Sequence, residues 1–117
     1  MNKIYHLSSC NTCQRIIGEL NNGKGFELQD IKEKNVSAQE LDKMAKQEGS
    51  YEALFSRRAM KYRGLGLNEQ TLTEKEYRSW ILKEYTFLKR PVVVIDDHYY
   101  VGNSKKVVAA AAAALKI

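Results

Sequence analysis

The sequence contains only two cysteines and one proline, and it has no apolar run of about 18 residues, the length that spans a bilayer. Two cysteines are too few for a disulfide-stapled scaffold, and a chain of 117 residues can bury a core without one. No repeat, linker or low-complexity tail divides the sequence, which predicts a single domain over residues 1–117. The N-terminus lacks the basic and then apolar layout of a signal peptide. We therefore predict a cytoplasmic protein that does not contact a membrane.

The charge balance by itself does not identify a function. The formal net charge is +5, which suits an anionic substrate or nucleic acid but is equally typical of an ordinary protein surface. No nucleic-acid-binding module accompanies the basic residues, so we predict no direct contact with nucleic acid.

The cysteine pair is the strongest chemical signal that is present. Cys10 and Cys13 follow an apolar run at residues 3–7 and precede a helix-like stretch at residues 14–20. A thiol at a helix N-terminus is favoured as a thiolate, and such positions lower the usual cysteine pKa of about 8.5 to roughly 3.5–7.5. Two alternatives remain, a pair of small buried hydrophobes and a shared zinc ion. With His6 the zinc set is one ligand short, so we predict no metal.

The apolar pattern of the first third of the chain predicts a strand, then a helix, then a second strand. Residues 2–7 form the first strand, residues 11–20 the helix, and residues 25–31 a half-buried strand with alternating apolar and polar side chains. This length suits a parallel crossover unit.

The sequence pattern in the middle of the chain, at about residues 37–88, predicts a helical block. Ser37 with Glu40 and Thr73 with Glu76 have the spacing of capping boxes, and Gly49 is a suitable helix end. Residues 51–67 between them predict one or two short helices that end in a turn.

The last part predicts a hairpin followed by a helix. Residues 90–95 are the clearest strand signal, Asp96 and Asp97 form a turn, and residues 98–101 form the returning strand. Residues 105–116, which include six consecutive alanines, predict a helix. The element order is therefore βαβ, a helical block, and ββα.

Four short motifs in this order resemble the arsenate reductase family (ArsC/Spx), and the resemblance extends over nearly the whole chain. The motifs are Tyr5-His6-x-x-x-Cys10-x-Thr12, Leu65-Gly66-Leu67, Leu72-Thr73 and Leu88-Lys89-Arg90-Pro91. The family has a thioredoxin-like fold, so the resemblance implies an α/β protein with a helical insertion between its βαβ and ββα halves.

The resemblance also implies roles for individual residues. Cys10 matches the catalytic cysteine that attacks the arsenic of arsenate, and His6 matches a histidine that helps to hold the thiolate. Arg90 matches an arginine that binds the oxyanion, and the peptide bond that follows it is typically cis in this fold. Thr12 lies in the anion-binding loop, where the amides of Asn11 and Thr12 at a helix start also suit an anion.

The sequence departs from the arsenate reductases of the glutaredoxin-linked type at two of their three arginines. The position of the family's first arginine is occupied by Ser56 in this sequence, although Arg57 and Arg58 follow directly. The position of the last arginine lies near residues 102–104, which contain no arginine. Cys13 also replaces what is often a serine. Both departures are closer to the Spx branch, whose members bind RNA polymerase.

Two functions follow as expectations. The first is an arsenate reductase-like thiol oxidoreductase that acts on an oxyanion or disulfide, in which Arg90 with Arg57 or Arg58 holds the anion. Its reductant would be glutathione with glutaredoxin, or thioredoxin acting through Cys13, without a bound cofactor. The second is an Spx-like regulator, in which Cys10 and Cys13 form a redox switch and the helical insertion binds RNA polymerase. A family member with another thiol or oxyanion substrate is a third alternative.

Overall fold

Residues 2–115 are described by the computed structural model, and they begin with the strand–helix–strand unit that the sequence predicts. Strand β1 is Asn2–His6, helix α1 is Asn11–Glu19 and strand β2 is Phe26–Asp30. The two strands pair in parallel, with Asn2 opposite Phe26 and His6 opposite Asp30. The carboxyl ends of both strands therefore lie at the edge of the sheet where α1 begins.

The predicted hairpin forms from strands β3, Val92–Ile95, and β4, His98–Val101. Asp96 and Asp97 between them both have positive φ, 49° and 66°, as a two-residue type I′ turn requires. Strand β3 pairs antiparallel with β1, which gives a four-stranded sheet in the order β2-β1-β3-β4. Helix α5, Lys105–Ala114, follows the hairpin, and the predicted helix end at residue 116 lies outside the described residues.

These elements form one of two compact units, which consists of the described residues up to Lys34 and from Arg90 onward. Its core joins apolar side chains of the sheet to the inner faces of the helices. The buried members are Ile4, Ile16, Ile17, Leu20, Val93, Ile95 and Ala111. The alanines of α5 thus allow that helix to pack closely on the sheet, and the predicted thioredoxin-like βαβ and ββα arrangement is confirmed.

The predicted half-burial of β2 holds only in part. Phe26 packs against the core, as the apolar alternation predicts, but Leu28 on the same face is 47% exposed beside the turn at Gly23. Gln29, on the other face, is only 9% exposed, and its amide donates to the Lys34 carbonyl at 2.8 Å. Because β2 is an edge strand, its apolar face is covered on one side only.

The second unit is the contiguous segment Asn35–Lys89 and is largely helical. It contains α2, Ala38–Glu48, α3, Met60–Gly64, and α4, Glu74–Lys83, together with short 3-10 turns.

The helix ends of this unit follow the predicted capping signals. The Ser37 hydroxyl accepts from the Glu40 amide at the start of α2, and Gly49 ends that helix at a φ of 93°. Thr73 and Glu76 form a complete capping box at the start of α4.

Phe55 is the centre of the second unit's core. It is fully buried, and its ring lies 4.8 Å from that of Phe87, 5.0 Å from Tyr77 and 5.7 Å from Tyr62, measured between centroids. Asn35 adds a polar link, because its side-chain amide donates to the Ile81 carbonyl at 2.9 Å. No helix within residues 2–115 combines the length and the apolar character needed to cross a membrane.

Candidate active site

Cys10 occupies the position that caps the N-terminus of helix α1. Its backbone is extended (φ −93°, ψ 107°), and its amide donates to the Leu7 carbonyl at 2.9 Å. The Cys13 amide donates to the Cys10 Sγ atom at 3.4 Å. The amides of Asn11 and Thr12 belong to the same first turn, where helix geometry leaves them without an intrahelical acceptor. The Cys10 sulfur therefore lies at the positive end of the helix dipole.

The surroundings of Cys10 lower the pKa of its thiol. Partial burial acts in the opposite direction, but hydrogen bonds from the amide and side chain of Cys13, together with a hydrogen bond and the positive charge of Arg90, outweigh it. Cys10 is also partly exposed, so a substrate can reach it. An accessible thiol with a lowered pKa has the properties of a nucleophile.

Cys13 has the opposite character. Its side chain is fully buried, and burial, reinforced by the neighbouring Cys10, raises the pKa of its thiol to about 12. A hydrogen bond from the Leu7 backbone offsets this only in part. Cys13 therefore keeps its proton near neutral pH and donates it to the Cys10 sulfur. The two thiols are unequal, and Cys10 is the one suited to attack.

Arg90 is the positive side chain beside Cys10. It is half-buried, and the Arg90–Pro91 peptide bond is cis, as the family resemblance implies. Its Nε–H is buried and meets no hydrogen-bond acceptor within residues 2–115, whereas other atoms of the side chain do have partners. A guanidinium beside a thiolate can bind two oxygens of an oxyanion in a bidentate manner.

His6 lies at the end of β1, opposite Asp30 of β2. Its ring nitrogen Nδ1 lies 3.4 Å from the Gln14 side-chain amide, and its charge acts on the Asp30 carboxylate. The pKa of Asp30 is lowered, mainly by a hydrogen bond from Ser8 and to a smaller extent by His6. The direct role of His6 toward Cys10 stays a prediction.

Sequence reasoning did not include Gln14, Ser8 or Asp30 in the site. Two signals could have found them. Gln14 is four residues after Cys10, one helical turn away, and Asp30 ends the strand parallel to β1. Side chains at the carboxyl ends of neighbouring parallel strands meet at one edge of a sheet.

Arg57 and Arg58 belong to the second unit and differ from each other. An Nη2 atom of Arg57 lies 2.6 Å from a Glu52 carboxylate oxygen and 3.1 Å from the Tyr77 hydroxyl. Arg58 is exposed, and no side-chain partner for it is found within residues 2–115. Arg57 therefore has an acidic partner within its own unit, whereas the guanidinium of Arg58 has no such partner among the described residues.

The sheet topology, with a Cys-x-x-Cys pair at the start of its first helix, defines a thioredoxin-like protein. Residues 5–111 match the model of the ArsC family, so the chain belongs to that family. Among curated proteins, none matches this chain significantly. In the part of the chain that the structure describes, no three His, Cys, Asp or Glu side chains converge as metal ligands would.

Several solved structures are similar to the chain over nearly its full length. An arsenate reductase from Vibrio cholerae shares 24% identity with a TM-score of 0.74, over 93% of this chain and 95% of that one. A provisionally assigned arsenate reductase from Yersinia pestis shares 19% identity with a TM-score of 0.77, over 100% of both chains. An ArsC-family-related protein from Bacteroides fragilis shares 23% identity with a TM-score of 0.81, over 94% and 96%. At these identities the similarity establishes the fold.

Proposed function

We propose that this protein is a thiol oxidoreductase of the arsenate reductase type, in which the Cys10 thiolate attacks an oxyanion. One observation carries the proposal: Cys10 caps helix α1 beside Arg90 with a lowered pKa, while Cys13 is buried with a raised one. Membership of the ArsC family and the likeness to an arsenate reductase support arsenate as the substrate to test first.

The proposed chemistry moves two electrons from two thiols to arsenic. The Cys10 thiolate forms a bond to As(V) and an oxygen leaves as water. A second thiol then attacks the Cys10 sulfur, arsenic departs as arsenite, As(III), and a disulfide remains on Cys10. Glutathione can be the second thiol, with glutaredoxin reducing the mixed disulfide; alternatively, Cys13 forms the disulfide and thioredoxin reduces it. The high pKa of Cys13 favours the external thiol.

The oxyanion would be bound at the start of α1. The backbone amides of Asn11 and Thr12 would donate to it, and the guanidinium of Arg90 would neutralise its charge. A second arginine, Arg57 or Arg58, stays a prediction from the sequence; Arg57 pairs with Glu52 within its own unit. No bound cofactor is part of the proposal, and we place the protein in the cytoplasm, where thiols are kept reduced.

Coupled assays test this proposal. Purified protein is supplied with arsenate and with either glutathione, glutaredoxin and glutathione reductase, or thioredoxin and thioredoxin reductase, and NADPH oxidation is followed. We expect arsenate-dependent turnover with the wild-type protein and none with Cys10→Ser. If Cys13→Ser still turns over arsenate in the glutathione system, the second thiol is glutathione. If Cys13→Ser loses turnover in the thioredoxin system, the Cys10–Cys13 disulfide is part of the cycle. Absence of arsenate-dependent turnover in both systems contradicts the proposal.

A second candidate function is the Spx-like regulator, and a groove within the second unit favours it. The groove has a volume of about 410 Å³. It is lined by Lys61, Gly64, Leu65, Trp80, Lys83 and Glu84. Leu65 is 48% exposed, and the last turn of α3 carries Lys61 and Arg63. Lys61 already pairs with Glu84 at 2.6 Å, so Lys83 and Arg63 are the charges offered beside Leu65. An exposed apolar side chain beside such positive charges suits an acidic protein surface, here proposed to belong to RNA polymerase.

Matched leucine variants test this second candidate. Leu65→Asp changes the groove, whereas Leu28→Asp changes a leucine of nearly equal exposure, 47%, on strand β2. RNA polymerase is passed over immobilised protein in its reduced and oxidised forms. Binding that is lost in Leu65→Asp and kept in Leu28→Asp supports the regulator. Failure of the wild-type protein to bind in either redox state contradicts it.

A further inference from the structure

Gln14 connects helix α1 to the loop that leads to Cys10. Its backbone amide donates to the Cys10 carbonyl at 3.2 Å, as expected in the first turn of a helix. Its side chain turns back toward the loop, where Nε2 lies 3.2 Å from the Leu7 carbonyl oxygen and 3.4 Å from His6 Nδ1. One side-chain nitrogen thus contacts two groups that precede the nucleophile.

The Leu7 carbonyl determines which end of the Gln14 amide faces the loop. A carbonyl oxygen can only accept a hydrogen bond, so the atom that contacts it must be the NH₂ group and not the amide oxygen. The reversed amide would place two oxygens 3.2 Å apart, without a proton between them. The hydrogen-bond chemistry therefore fixes the orientation of this amide.

The oriented Gln14 amide also restricts the protonation of His6. The NH₂ group of Gln14 has two protons and no acceptor site, so it can contact Nδ1 favourably only if Nδ1 has a free lone pair. In a neutral imidazole with an unprotonated Nδ1, the proton lies on Nε2. The two protons of the amide suffice for both contacts, one for Leu7 and one for His6.

We propose that Gln14 is a positioning residue that holds neutral His6 as its Nε2–H tautomer. His6 then presents a hydrogen-bond donor, and not a base, to any group that meets its outer nitrogen. The neighbouring charged group is the carboxylate of Asp30, which lies opposite His6 in the strand register and is itself held by Ser8. An Nε2–H group can donate to such a carboxylate or to an oxyanion.

This assignment has a consequence for the nucleophile. A neutral His6 that already carries its proton on Nε2, with Gln14 at Nδ1, has no lone pair to accept the proton of Cys10. Cys10 would then be ionised through Cys13 and Arg90, the two residues whose contacts favour its thiolate. This last consequence rests on the proposed function, whereas the tautomer of His6 does not.

Nitrogen-15 NMR of the histidine rings tests the tautomer directly. The resting protein, without substrate, is studied at a pH at which both imidazoles are neutral, and long-range proton–nitrogen spectra show which ring nitrogen carries the proton. We expect His6 as Nε2–H in the wild-type protein. In Gln14→Met the donor to Nδ1 is removed, so we expect the Nδ1–H fraction of His6 to rise above its wild-type value. His98, on strand β4, is the internal control and keeps its tautomer in both proteins.

The outcomes are decisive in either direction. His6 found as Nδ1–H in the wild-type protein overturns the proposal, and so does an unchanged Nδ1–H fraction in Gln14→Met, whose side chain has a similar length but no donor. If Gln14→Met does not fold, Gln14→Leu, which also lacks a donor, gives the same comparison. Because no arsenate is present, inactivity toward arsenate leaves this result intact.

Discussion

At the scale of single residues, two cysteines three positions apart have pKa values shifted in opposite directions. Cys10 is partly exposed at the helix cap, where amides and Arg90 stabilise its thiolate. Cys13 is inside the first turn and buried, so its charged form is desolvated. The same four-residue motif thus produces a nucleophile and a hydrogen-bond donor, because only one of its sulfurs lies at the helix end.

Removal of the Arg90 charge should raise the pKa of Cys10. We expect Arg90→Met to slow alkylation of Cys10 by iodoacetamide near pH 6 by on the order of several-fold, because a smaller fraction of the thiol is then ionised. Cys13 is buried and does not contribute to the rate. The pH profile of alkylation is the measurement, with Arg15→Met as control, since Arg15 pairs with Glu19 on the same helix. Equal profiles for the wild-type protein and Arg90→Met would contradict this assignment.

The sequence located the nucleophile correctly but missed its supporting residues. Cys10 was predicted at a helix start because that signal is local: a strand, a thiol and a helical pattern follow one another. Gln14 and Asp30 were missed because their contacts depend on how the loop after β1 folds and on which strands are neighbours. The orientation of a side chain toward the loop cannot be obtained from periodicity alone.

At the scale of elements, local signals determined most boundaries. The αL residue Gly49, the capping box of Thr73 with Glu76, and the turn at Asp96 and Asp97 all occur where the sequence predicts them. The burial of individual side chains in β2 was less predictable, because Leu28 is half exposed on this edge strand while Gln29 is buried and donates to the Lys34 carbonyl. Elements are predictable where their ends depend on neighbours in sequence.

Two glycines should respond in opposite directions to the same substitution. Gly18 lies within α1, and a Cβ atom there would approach only the Asn22 Oδ1 atom, at 3.9 Å. Gly18→Ala should therefore stabilise the protein by about 0.5–1 kcal/mol through helix propensity. Gly49 has a φ of 93°, so Gly49→Ala should destabilise it by about 1–2 kcal/mol. Urea denaturation measures both; a shift in the same direction for the two variants would contradict the assigned backbone conformations.

The hairpin turn offers a third stability prediction. Asp97 has a φ of 66°, a conformation that glycine adopts at lower cost than aspartate. We expect Asp97→Gly to raise the free energy of unfolding by about 0.5 kcal/mol. Asp97→Ala is the matched control and should lower it, because alanine tolerates this conformation less well than aspartate. Thermal and urea unfolding of the three proteins should give this order, and stabilisation by alanine would refute the type I′ turn.

At the scale of the whole molecule, the buried Cys13 thiol connects stability to pH. Its folded pKa, about 12, is raised above the ordinary value of 9.0, so the folded state holds the proton more tightly than the unfolded state does. The stabilisation is fully present below the ordinary pKa and is lost as the pH rises through the interval up to the folded pKa.

A Cys10→Ala background isolates this contribution, because Cys13 also lowers the pKa of Cys10 in the wild-type protein. The difference in unfolding free energy between Cys10→Ala and the double variant Cys10→Ala/Cys13→Ala should be constant below about pH 8 and should then change in favour of the double variant as the pH rises. Urea denaturation at a series of pH values measures it, under reducing conditions. A difference that is independent of pH up to about pH 11 would show that the Cys13 pKa is not raised.

The division of the chain into two units was only partly visible in the sequence. The capping signals indicate that the middle is helical, and the family resemblance implies an insertion there. The exact extent, Asn35–Lys89, depends on contacts between residues far apart, such as the bond from Asn35 to the Ile81 carbonyl. Composition contains no mark of this boundary.

The position of β1 within the sheet has a consequence for synthesis on the ribosome. Strand β1 leaves the ribosome first but lies between β2 and β3, and β3 begins only at Val92. One edge of β1 therefore stays unpaired until most of the chain has been translated, whereas the segment Asn35–Lys89 is complete earlier. Unpaired apolar strand edges are the regions of a nascent chain that chaperones protect from aggregation. The nucleophile site, which needs both Cys10 and Arg90, thus forms only after the segment Asn35–Lys89 has been translated.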